Sequence, residues 1–163
     1  MESLAFTPAE RVLLAAFEEL GVRYMVVGLS AAVLQGADTV TADVDLWFED
    51  RTDARIGEAV RRAGGVWIPG NFGMMPPTIG GDILGDRFDV VLTLSGLDDF
   101  ATERAGARLM RVDDLDLPVL PLRRVLRSKR AAARPKDLAV LPALEAALAA
   151  QEDSEASDRG PGS

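Results

Sequence analysis

The fold is constrained most tightly by an alternation. Stretches with helical spacing of apolar residues take turns with short, valine-rich apolar runs closed by glycine or polar residues. Thr7-Pro8-Ala9-Glu10 reads as a helix start, with Thr7 as cap, Pro8 in the first turn and Glu10 completing a capping box. Val12, Leu13, Ala16, Phe17 and Leu20 then recur at three- and four-residue spacing, which predicts one buried stripe ending at Gly21. Tyr24 to Val27 reads as a buried strand closed by Gly28, and Ser30 to Gln35 as a short helix ended by Gly36. Val44 to Phe48 is a second strand, and Asp53 to Ala63 a helix that turns Ile56, Ala59, Val60 and Ala63 inward. The order αβαβα is that of an α/β domain.

Beyond Gly64-Gly65 the punctuation is denser. Val66-Trp67-Ile68 predicts a short strand, Pro69 to Gly81 a long proline- and glycine-rich loop, and Phe88 to Leu92 another central strand. Asp98 to Arg104 forms a helical turn, Ala107 to Val112 a further strand, and Leu117 to Pro121 an extended bridge. Leu122 to Ala133 and Pro135 to Gln151 read as helices. The domain is therefore expected to span residues 1–151, with Glu152 to Ser163 as a disordered polar tail.

Composition narrows the chemistry. The chain has 163 residues, enough for one ordinary domain, and neither cysteine nor histidine. That removes disulfide scaffolds, thiolate zinc sites, cysteine nucleophiles and imidazole bases, so any acid, base or metal ligand must be Asp or Glu. A net charge of −8 argues against a general nucleic-acid coat or an anionic-membrane binder, though not against a local basic patch. Glu2, Glu10, Glu18 and Glu19 do not make a signal peptide. No run approaches the ~18 apolar residues of a membrane span. A cytoplasmic soluble protein is expected.

Within that frame, Asp43-Val44-Asp45 stands at the start of a strand. Side chains at i and i+2 share a face, so two carboxylates can converge on one cation. Left without one, each raises the other's pKa, a conflict that a hard divalent cation such as Mg2+ resolves. Asp89 lies in an equally apolar strand, where an unpartnered carboxylate is expensive unless it is an exposed edge residue. If the two strands are neighbours, the three carboxylates meet at one end of the sheet. Gly28-Leu29-Ser30 joins a strand to a helix, a turn that either exposes backbone N–H groups to a phosphate or simply uses Ser30 as a cap. Arg123, Arg124, Arg127, Lys129, Arg130, Arg134 and Lys136 form an all-positive run, suited equally to a solvated face or to an anionic partner. Trp47 shares the face of Asp45 and serves either the core or a stacked base. Met74 and Met75 fill core gaps or touch an acceptor.

Gly28-Leu29-Ser30-Ala31, Gly36, Thr41-x-Asp43-Val44-Asp45, Asp89 in its strand, and the run from Ser128 through Lys129, Arg134, Lys136 and Asp137 to Leu138 together resemble the small nucleotidyltransferases of the DNA polymerase beta superfamily. The branch they resemble contains abortive-infection and toxin-antitoxin nucleotidyltransferases. The resemblance covers roughly Val22 to Leu148 and lies in the order and spacing of the pieces. It implies an α/β (α+β) nucleotidyltransferase fold: a mixed central sheet flanked by helices, with a C-terminal helical segment. It also implies Asp43, Asp45 and Asp89 as catalytic carboxylates and ligands of a two-metal Mg2+ site, Gly28 and Ser30 under the triphosphate, and Lys129, Arg134 and Lys136 on phosphates or acceptor. The implied reaction moves a nucleoside monophosphate from an NTP to a hydroxyl of RNA (a tRNA end), protein or a small molecule, releasing pyrophosphate, in a toxin-antitoxin or phage-defence setting with a cognate toxin or antitoxin as partner.

Two positions depart from the family pattern. Leu29 stands where a second small residue usually follows the glycine, and Thr39 where an arginine is common. They make a catalytically inactive nucleotidyltransferase-like domain, acting as an antitoxin or regulatory protein-binding subunit, the competing reading. A haloacid-dehalogenase-type phosphatase fits poorly because Leu46-Trp47-Phe48 follows the aspartates, and a glycosyltransferase because the chain is short.

Overall fold

The computed structural model describes residues 4–71 and 75–160. Its centre is a five-stranded mixed sheet of β1 (Tyr24–Val27), β2 (Val44–Phe48), β5 (Phe88–Val91), β6 (Arg108–Val112) and β7 (Leu115–Val119), in the order β5-β2-β1-β7-β6. β1 runs antiparallel to β2 and parallel to β7, β2 parallel to β5, and β6 antiparallel to β7. A separate hairpin pairs β3 (Val66–Ile68) with β4 (Thr78–Gly80). Around the sheet lie α1 (Pro8–Leu20), α2 (Gly28–Leu34), α3 (Ala54–Arg62), α4 (Phe100–Ala105), α5 (Leu122–Ala132) and α6 (Pro135–Asp158). A mixed central sheet flanked by helices, with a C-terminal helical segment, is the α+β architecture expected from the sequence.

Local chemistry accounts for most boundaries. Thr7 accepts from the Glu10 N–H at 3.2 Å while Glu10 accepts from the Thr7 N–H at 3.1 Å, so α1 begins with the predicted capping box. Gly21 ends it at φ +73°. Alternation along the strands sorts the sheet into two faces. One carries Tyr24 and Phe48, which pack against Phe17 of α1 at ring-centroid distances of 5.0 and 5.5 Å. The other carries Asp45 and Trp47; Trp47 stands edge-on to Phe100 of α4 at 5.3 Å, a core role rather than a base platform. No described helix is long and apolar enough to cross a membrane.

Three elements differ from the sequence reading. Thr78–Gly80, inside the expected loop, pairs with β3, and the short pairing partner explains why no period was visible. Leu115–Val119, overlapping the extended bridge expected at Leu117 to Pro121, is an interior strand despite Pro118. The ladder shows how it tolerates the proline. Leu120 N–H donates to Val26 O, so the next rung toward Tyr24 O would need an N–H that Pro118 lacks. Arg104 Nε donates to Tyr24 O instead, at 3.2 Å. Finally, α6 continues to Asp158 rather than ending at Gln151, so Glu152–Asp158 are helical where a disordered tail was expected; Arg123 ties down Glu152 at 3.1 Å. Pro161, Gly162, Ser163, Glu2 and Met74 lie outside the described residues. Met75 is exposed and does not fill the core.

Candidate functional site

Parallel pairing of β2 with β5 places Asp45 directly opposite Asp89, and antiparallel pairing with β1 places Val27 opposite Asp45. Register partners point to the same face. The two carboxylates therefore share the Trp47 face at the end where β1 passes into α2. Asp43 precedes β2; its N–H donates to Thr41 Oγ1 at 3.3 Å, and the Thr41 hydroxyl donates to Asp43 O at 3.1 Å. Asp45 is half-buried, whereas Asp43 and Asp89 are exposed, Asp89 on the edge strand.

The electrostatics are those of an unneutralised acidic cluster. Burial, then the charge of Asp89 and more weakly that of Asp43, lift the Asp45 carboxyl from 3.8 to about 6, against the opposing pull of Lys129 and Lys136. Asp89 is also raised, by burial first and then by Asp43 and Asp86. Asp43 thus destabilises the charged form of both Asp45 and Asp89. Asp43, Asp45 and Asp89 are the oxygen donors at this end of the sheet that could hold a hard dication. Among the described residues, however, no three carboxylates are gathered to ligating distance.

Gly28 is fixed by this neighbourhood. It adopts φ +62°, and a β-carbon there would collide with Asp45 Oδ2. Ser30 has a different place from the one expected. It is fully buried; its hydroxyl donates to Val27 O at 2.8 Å and accepts the Asp45 N–H at 3.0 Å. The hydroxyl therefore joins the end of β1 to the start of β2, with its donor and an acceptor position both used inside the chain. Nor does Ser30 cap α2, which begins at Gly28 with Val27 in the cap position and no side-chain cap. Leu29 packs partly buried against the core.

The basic run is largely neutralised by acids remote in sequence. Arg123 meets Glu152, Arg124 meets Glu103 at 2.6 Å, Arg130 meets Glu145, and Arg127 donates to Gly96 O. Asp137 is fully buried and takes Lys129 Nζ at 3.2 Å and Arg134 Nε at 2.7 Å. Lys136 has no ion-pair partner among the described residues, and its charge reaches Asp45. Gly28, Lys129 and Arg134 nevertheless line one cavity of about 270 Å3 together with Thr93, Ser95 and Ser128. Asp137 had no role of its own in the sequence reading; its signal was a lone acid directly after a basic run, three residues from Arg134 at a helix start. Another cavity, of about 670 Å3, opens beyond the opposite ends of β2 and β5 beside Arg51, Trp67, Pro76 and Leu92, and contains none of the three carboxylates.

The five-stranded mixed sheet and its six helices match the nucleotidyltransferase fold. Among the solved structures that share the fold are two of ANT(2'')-Ia. One is the crystal structure of ANT(2'')-Ia in complex with adenylyl-2''-tobramycin, with a TM-score of 0.57, 14% identity, and coverage of 87% of this chain and 88% of that one. The other is the solution structure of the antibiotic-resistance factor ANT(2'')-Ia, with a TM-score of 0.54, 15% identity and 93% coverage of both chains. At such identity the likeness is one of fold. No family model and no curated protein matches the chain.

Proposed function

We propose that the protein is a metal-dependent nucleotidyltransferase that moves a nucleoside monophosphate from an NTP to a hydroxyl, with pyrophosphate released. The observation that carries this reading is the register pairing of Asp45 with Asp89 beside Gly28, next to the cavity shared by Lys129 and Arg134. In this reading Asp43, Asp45 and Asp89 hold Mg2+, which when bound would supply charge neutralisation at the α-phosphate. Gly28 lets the triphosphate approach the start of α2, and Lys129 and Arg134 balance phosphate charge from positions set by Asp137. Asp89, exposed on the edge strand and raised in pKa, faces solvent where the acceptor hydroxyl enters and takes up its proton.

For the acceptor, a small molecule is favoured over RNA. The arginines of α5 are already engaged within the chain, the net charge is −8, and the neighbour of like fold was solved with adenylylated tobramycin. The setting we propose is cytoplasmic, where NTPs are abundant. A toxin-antitoxin or phage-defence role is part of the proposal, tested by whether expression alone arrests growth. α-Labelled NTPs should pass label to a polyhydroxylated small molecule, and Asp45→Asn should stop the transfer.

The second reading, a non-catalytic partner-binding domain, draws on Leu29 and on the ungathered carboxylates. It predicts no label transfer from any NTP and stable co-purification of a partner protein.

A further inference from the structure

Asp43 is the carboxylate of the cluster that lies outside a strand, so its placement needs an explanation that the sheet does not supply. Arg87, at the entrance to β5, brackets it. The Val44 N–H donates to Arg87 O at 2.7 Å, holding the residue after Asp43. Arg87 Nη1 donates to Ala42 O at 2.6 Å, holding the residue before it. The same guanidinium donates through Nη2 to Ala5 O at 2.7 Å, lies 5.9 Å from the Phe6 ring centroid, and sits with Nε 3.5 Å from Glu10 Oε1. Glu10 in turn is fixed by the capping box of α1.

We propose that Arg87 is a positioning residue: its guanidinium spans the N-terminal segment and the Thr41–Asp43 turn and holds Asp43 beside Asp45 and Asp89. The inference rests on the metal-binding role proposed above for these carboxylates. Two features set Arg87 apart from a surface arginine. Its side chain is only 21% exposed, and Nε is buried without a hydrogen-bond partner, a desolvated arrangement that costs free energy. The work also requires a planar fork, because two carbonyls from different segments are reached by two nitrogens of one group, which an ammonium does not reproduce. The resemblance expects an arginine at position 39, where this chain has Thr39. Here a guanidinium reaches the Thr41–Asp43 turn from the residue before β5.

The test is calorimetric titration of Mn2+ into the full chain, with amide hydrogen exchange read at Asp43 and Val44. The variants are Arg87→Met, Arg87→Lys and Asp43→Asn, and the control is Glu10→Gln, which weakens the ion pair but leaves both fork hydrogen bonds. Arg87→Met should weaken Mn2+ binding roughly tenfold, in line with other residues that orient metal ligands. It should have no further effect once Asp43→Asn is present, and Glu10→Gln should lower Tm without changing Mn2+ affinity. Wild-type affinity in Arg87→Met, or an equal loss with and without Asp43, would overturn the inference. If Arg87→Met does not fold, Arg87→Lys carries the comparison with the same criteria. If the wild-type protein binds no Mn2+, the metal reading fails separately. Exchange then decides for Arg87: faster exchange at Asp43 and Val44 than in Glu10→Gln supports the role, and unchanged exchange refutes it.

Discussion

Asp45 is held between burial and two like charges, and this fixes the sign of its contribution to stability. Its folded pKa of about 6 lies above the ordinary 3.8, so the folded state binds the extra proton and the charged form is the costly one. The penalty is fully present above about pH 6, shrinks as pH falls through that value, and is gone below the ordinary value. Without divalent cations, Asp45→Asn should therefore stabilise the protein at pH 7.5 by about 1–3 kcal/mol, since each tenfold change in proton affinity is worth roughly 1.4 kcal/mol. It should also flatten stability between pH 6 and 4. Urea unfolding at both pH values checks this, and a destabilised Asp45→Asn would contradict it. Gly28→Ala should lose at least about 1–2 kcal/mol through the left-handed backbone alone and displace the Asp45 carboxylate besides. Gly28, Asp45 and Asp89 were readable because alternation and a strand-closing glycine are local signals. The role of Ser30 was not, since it depends on the N–H of Asp45, which only β1–β2 pairing brings to it.

The elements most legible in the sequence were those with a strong internal period. α1 and the strands β1, β2 and β5 follow their apolar spacing closely. β4 and β7 did not announce themselves, one because it has three residues and the other because Pro118 reads as a breaker. A rung supplied by Arg104 makes β7 tolerable, so Arg104→Ala should cost about 1 kcal/mol by leaving Tyr24 O without its partner. Thermal unfolding measures the loss, and an unchanged Tm would show that water replaces the rung at no cost. The basic run was half legible: its residues were visible, but the acids that meet it come from α4 and α6. Asp137 concentrates this effect, being buried under Lys129 and Arg134. Asp137→Asn should destabilise the α5–α6 junction by about 2 kcal/mol, less than a fully buried pair would lose because Arg134 is 57% exposed. It should also weaken nucleotide binding, because Lys129 and Arg134 lose their common anchor.

For the whole molecule, the mixed sheet sets Asp45 and Asp89 side by side at one end, and α5 and α6 bring the two lysines of the chain within electrostatic reach of Asp45. The cavity of about 670 Å3 beyond the other end of β2 and β5 stands apart from this chemistry, so size alone does not identify the site. The central claim is nucleotide binding at the carboxylate end. It is tested most directly by calorimetric titration of the protein with each nucleoside triphosphate, with and without Mg2+, beside the Asp43→Ala/Asp45→Ala double variant. The account predicts Mg2+-dependent binding of at least one triphosphate, lost in the double variant while its Tm stays at or above that of the parent. Absence of binding by the parent to every triphosphate, or binding indifferent to the two aspartates, would contradict it.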